Sequence, residues 1–145
     1  MKVLELMKVH VIKTTPNATL REAVDMMDLY QISGLPVVDS DGILTGVLTE
    51  YDVIHALLPE YKHLERNSDG SLIGLHDRVE RIKDKMVEAA MTSPAVSIDE
   101  NADVLEAASL ILEKRIKRLP VTGNGKLVGI ISRIDICQAV LEGQI

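Results

Sequence analysis

Sliding the chain by 84 residues lays it over itself. Met7 then falls on Met91, Asn17 on Asn101, Ala18 on Ala102, Glu22 on Glu106, Ala23 on Ala107 and Ile32 on Ile116. The same shift places Leu35-Pro36-Val37 on Leu119-Pro120-Val121. One residue is then lost, and a shift of 83 aligns Gly42 with Gly125, Gly46 with Gly129 and Asp52 with Asp135. Matches in order with one gap at a turn mark a duplication. A duplicated small unit cannot bury its apolar face alone, so the two copies must pack together.

Each copy carries the same succession of signals. A short extended segment (Val9 to Thr14; Ala95 to Ile98) precedes Thr19 with Glu22, or Asp103 with Glu106, at capping-box spacing. Leu20, Ala23, Val24 and Met27 then recur at a helical period, as do Val104, Ala107, Ala108 and Ile111. Strands are expected at Leu35 to Val38 and Leu119 to Thr122, followed by turns at Asp39-Ser40-Asp41-Gly42 and Gly123-Asn124-Gly125. Second strands, Ile43 to Leu48 and Lys126 to Ile131, feed helices from about Glu50 and Arg133. The fold class is thus α/β in the mixed (α+β) sense: two tandem βαββα units.

The copies occupy residues 1–58 and 91–145, with 59–90 between them. Within that stretch Asn67 to Ser71 reads as a loop, and Val79, Ile82, Met86 and Ala90 predict an amphipathic helix from about Asp77 to Ala90. That helix either packs on its own module or forms a dimer contact or partner surface. Phe and Trp are absent, so aliphatic residues must build the core. The net charge of -6 argues against nucleic-acid binding. No apolar run is long enough to span a membrane, and the first seven residues lack a secretory pattern. A lone Cys137 forms no internal disulfide, which makes the cytoplasm the expected compartment. Cys137 replaces Ile54 on an apolar helix face and is expected to be buried there. The four His show no metal-ligand spacing, and no nucleophile elbow, phosphate loop or triad stands out. The chain reads as a non-enzyme without metal or cofactor.

Two polar features remain. Thr49-Glu50-Tyr51-Asp52 and Ser132-Arg133-Ile134-Asp135 place a hydroxyl at a helix start and an acid three residues on. That pattern serves as a helix cap. It equally presents unpaired N–H groups and a carboxylate able to accept from a sugar diol. Lys114 to Arg118 carries four cations in five residues, and Lys117 and Arg118 stand where the first copy has Ser33 and Gly34. These cations either complement a helix C-terminus or attract phosphate near the second copy, where Arg133 could add a bidentate contact.

The duplicated unit, the strand opening on Leu-Pro-Val and the Gly-apolar-apolar-Ser/Thr-x-x-Asp segment resemble the CBS domain family. The resemblance runs from about Met7 to Leu58 and from Met91 to Leu141, in the tandem arrangement called a CBS pair or Bateman module. It implies a pseudo-two-fold pair with two clefts that take AMP, ADP, ATP or S-adenosylmethionine. By position, Thr14 and Ser33, Gly34, Leu35 and Pro36 resemble the base-contacting segment of one cleft, and Thr49 with Asp52 its ribose pair. Ser132 and Asp135 resemble the pair of the other cleft, which would also use Leu119 and Pro120. Lys117 and Arg118 resemble phosphate contacts. Ile98 departs from the pattern where the first copy has Thr14. The resemblance further implies a homodimer and a signal passed in trans to an effector protein. The alternative is a scaffold of the same fold that binds nothing.

Overall fold

The computed structural model describes all 145 residues. Helix α1 spans Leu20–Tyr30, strand β1 Gly34–Val38, β2 Leu44–Thr49 and α2 Glu50–Leu57. After the connecting helix α3 (Leu75–Lys83) come β3 (Ile98–Asp99), α4 (Val104–Lys114), β4 (Arg118–Gly123), β5 (Lys126–Ser132) and α5 (Arg133–Leu141). The two hairpins repeat each other to the register. Leu35 faces Leu48 and Val37 faces Gly46 in the first; Leu119 faces Ile131 and Val121 faces Gly129 in the second. Both carry a bulge one residue later, between Val37 and Val38 and between Val121 and Thr122. The extended segments before the helices are shorter than their sequence suggests. Thr14 makes a single parallel bridge to Val37, whereas Ile98 and Asp99 form a two-residue strand on β4.

Strand alternation divides the side chains. Leu35, Val37 and Leu48 join Leu20, Ala23 and Met27 in one core; Leu119, Val121 and Ile131 join Ala107 and Ile111 in the other. Their neighbours Pro36, Val47, Pro120 and Ile130 point to the opposite sheet faces. Val24 departs from the expected buried stripe: it is partly exposed at the edge of α1. Asp103 departs from the expected capping box, because it accepts from the Leu105 N–H at 2.7 Å rather than from Glu106.

The segment that opens each copy packs on the other copy. Val3, in a 3-10 turn over Val3–Glu5, is fully buried in the second core; Val87, in the equivalent turn over Val87–Ala89, is fully buried in the first. Lys8 exchanges both backbone hydrogen bonds with Ile130, at 2.8 and 2.9 Å, and Thr92 does the same with Val47 at 3.0 and 2.9 Å. Space for these crossings comes from Gly46 and Gly129. A Cβ on Gly46 would lie 2.7 Å from the Thr92 carbonyl oxygen, and one on Gly129 would lie 2.9 Å from that of Lys8. Packing therefore cuts across the division at residues 58 and 91. The hairpin tips add a further reciprocal pair: Leu44 N–H donates to Gly125 and Leu127 N–H to Gly42. Every one of these contacts has its counterpart under the repeat, which gives the pair its pseudo-two-fold symmetry.

The second crossing also corrects the expected helix over 77–90. Helix α3 packs on α1 and α2 but stops at Lys83. Beyond it the Lys85 carbonyl accepts from Leu20 N–H, and Val87 N–H donates to Ala18. The start of α1 thus captures backbone groups that a longer helix would have used internally. Cys137 is exposed, contrary to the burial expected of it. Helix α5 has no single apolar stripe: Ile134 and Leu141 are exposed while Ala139 alone is buried.

Candidate nucleotide groove

The faces of the two hairpins turned away from the cores enclose a groove of about 470 Å³. Pro36 and Val47, paired across the first hairpin, meet Pro120 and Ile130, paired across the second. Ala95, Val96 and Ile116 extend this aliphatic lining. Flat apolar walls of this kind suit a planar heterocycle. Thr49, Glu50 and Tyr51, where β2 gives way to α2, and Arg115, Lys117 and Arg118 complete the lining. Arg115 ends α4 in the left-handed conformation, so the chain turns sharply before presenting Lys117 and Arg118.

Both helix starts are closed by reciprocal caps. Thr49 Oγ1 accepts from Asp52 N–H at 3.2 Å, and Asp52 Oδ2 accepts from Thr49 N–H at 2.9 Å. Ser132 and Asp135 repeat this at 3.3 and 3.0 Å. The remaining carboxylate oxygens differ. Asp52 Oδ1 accepts from the Thr92 hydroxyl at 3.1 Å, whereas Asp135 Oδ1 lies 3.7 Å from Lys8 Nζ. Thr92 and Lys8 are equivalent under the repeat.

The residues singled out by sequence are distributed unevenly. Ser33, Gly34, Pro36, Thr49, Lys117, Arg118 and Pro120 line the 470 Å³ groove together, and Leu35 borders it with its side chain fully buried in the first core. Asp52 adjoins it through its bond to Thr92. Thr49 therefore shares a cavity with the second copy's cations. Thr14 is buried, its backbone bonded to Pro36 and Val38, and it lines neither cavity. Leu119 points into the second core. Ser132 and Arg133 line a wider recess of about 980 Å³ beside α1 and α2, which shares Ser33, Glu50, Lys117 and Arg118 with the groove. Val47, Ile130, Ala95 and Val96 were missed by motif reading. Strand alternation carried the signal for the first two, since each precedes a core residue.

Two carboxyls titrate below the ordinary range, both in the connecting stretch. Hydrogen bonds from Ser71 hold Asp69 down, and a hydrogen bond from Lys83, with its charge, holds Glu80 down. No three His, Cys, Asp or Glu side chains converge as a metal site would require, and no helix is long and apolar enough to cross a membrane.

Comparison with known proteins agrees with this geometry. The CBS domain family model matches residues 3–59 and 82–142. A CBS domain-containing protein of Dictyostelium discoideum is 30% identical over 145 residues, covering 98% of this chain and 94% of the relative. The chloroplastic CBSX1 of Arabidopsis thaliana is 29% identical over 146 residues, which cover 92% of this chain and 59% of CBSX1. An inosine-5'-monophosphate dehydrogenase of Methanocaldococcus jannaschii is 34% identical over 127 residues, but the match takes in only 21% of that enzyme. Among solved structures, CBSX2 in complex with AMP superposes with a TM-score of 0.76 at 26% identity, covering 99% of this chain and 98% of that one. The doubled hairpin, its reciprocal crossings and both matched segments lead to one conclusion: the chain belongs to the CBS domain family and carries two CBS units as a pair.

Proposed function

We propose that this CBS pair is a non-catalytic regulatory module that binds an adenosine-containing ligand, AMP, ADP, ATP or S-adenosylmethionine, between its two units. The observation that carries this reading is the joining of three chemistries in one groove. Aliphatic planes from both hairpins accept a base, Thr49 and the adjoining Asp52, bonded to the groove residue Thr92, offer acceptors to a sugar diol, and Lys117 with Arg118 meets phosphate. The AMP complex of a relative 26% identical to this chain adds support. Because both units wall the groove, occupancy changes their relative packing, provided the ligand prefers one arrangement. The exposed Leu112, Ile134 and Leu141 supply apolar surface for a homodimer or for an effector protein in trans. A reducing compartment such as the cytoplasm suits the exposed Cys137.

Calorimetry with each of the four compounds at up to about millimolar concentration tests the proposal. Heat of binding from at least one is expected. No heat from any of them defeats it. The scaffold reading draws on the fact that both carboxylates already satisfy their own helix starts. Under it, Asp52→Asn changes stability and nothing else.

A further inference from the structure

We infer that the pair binds one nucleotide per chain, in the groove beside Asp52, and that Asp135 instead serves to tether the crossing segment at Lys8. This inference rests on the ligand class proposed above and narrows it to one of two symmetry-related positions. The backbone treats the two positions alike, so the difference lies in three side-chain exchanges.

The first exchange concerns the acids. Asp52 Oδ1 meets only a neutral hydroxyl from Thr92, which can rotate and leave the oxygen open to a ribose diol. Asp135, whose side chain is only 10% exposed, faces the Lys8 ammonium at 3.7 Å. The Lys8 main chain is held by two hydrogen bonds to Ile130, which anchors the base of a side chain that is itself 70% exposed. A sugar hydroxyl would have to compete there with a full charge. The second exchange concerns phosphate. Lys117 and Arg118 precede β4 and line both the groove and the recess beside Ser132, while the equivalent positions before β1 are Ser33 and Gly34, which carry no charge. The third concerns the wall. Val96 is exposed toward the groove, whereas its counterpart Ile12 packs against the first core. An open acid oxygen, two cations and an exposed aliphatic wall therefore meet at the Asp52 position.

Titration calorimetry with AMP and with ATP, on the full chain and on the D52N and D135N variants, tests the assignment. The expected result is one ligand per chain, about tenfold or greater weakening in D52N and less than about a twofold change in D135N. Hydrogen exchange over Val3–Lys8 should quicken in D135N and stay unchanged in D52N, a readout that ligand affinity alone would not move. Should D52N fail to fold, Lys117→Ala, at an exposed position, replaces it and is expected to weaken ATP about threefold or more. Two ligands per chain, or a D135N defect as large as that of D52N, overturns the assignment while leaving nucleotide binding intact. Absence of any binding by the unaltered chain instead refutes the ligand class.

Discussion

The crossing segments Val3 to Lys8 and Val87 to Thr92 have the same backbone and different chemistry. Each begins with a 3-10 turn that buries a valine in the other copy's core, and each ends on a reciprocal pair of main-chain hydrogen bonds over a glycine. At the last position one presents a lysine and the other a threonine. Duplication has thus kept what the main chain needs and released the side chains that face the acids. Symmetry in such a molecule belongs to its hydrogen-bond ladder, and binding belongs to the departures from it.

That comparison can be broken at the valines first. Val3→Ala and Val87→Ala should each lower stability by about 2–3 kcal/mol, since each removes buried methyl groups and leaves a cavity. Urea unfolding of the two variants should give matching losses. A difference greater than about 1 kcal/mol would show that the two slots are not energetically equivalent. Gly46→Ala and Gly129→Ala come next, at about 1–3 kcal/mol, because the added methyl meets a carbonyl oxygen of the crossing strand at 2.7 and 2.9 Å. Thermal melts that moved for only one of them would mean that one crossing is loose. The smallest effect belongs to the caps. Thr49→Ala and Ser132→Ala should cost about 1 kcal/mol each, and circular dichroism melts of the pair sharpen the comparison by asking whether α2 and α5 depend on their caps to the same degree.

Much of this architecture is legible in the sequence. Leu-Pro-Val, the turn residues and the Gly-to-Asp segment placed four strands and their following helices within a residue or two, because local chemistry decides them. The exchange of openings was not legible. Val3 and Val87 look like any buried valine, and a hydrophobic pattern says that a side chain is buried without saying by which neighbour. The linker helix is shorter than its pattern for a related reason: Val79, Ile82, Met86 and Ala90 keep a helical period, but backbone bonds to Ala18 and Leu20 take the chain out of the helix after Lys83. The exposure of Cys137 is not readable from the pattern, because α5 has apolar residues on several faces and packing settles which of them the core takes. At the site, Thr49, Lys117 and Arg118 could be named singly. That one groove gathers them follows only from how the two sheets face each other.

The reciprocal seating of Val3 and Val87 has a mechanical consequence. Neither copy is a self-sufficient folding unit, because each closes its core with a segment that begins the other. Cutting the loop between Pro59 and Gly74 would therefore leave two interlocked pieces rather than two separate modules, and pulling on the first residues would load the far unit before the near one.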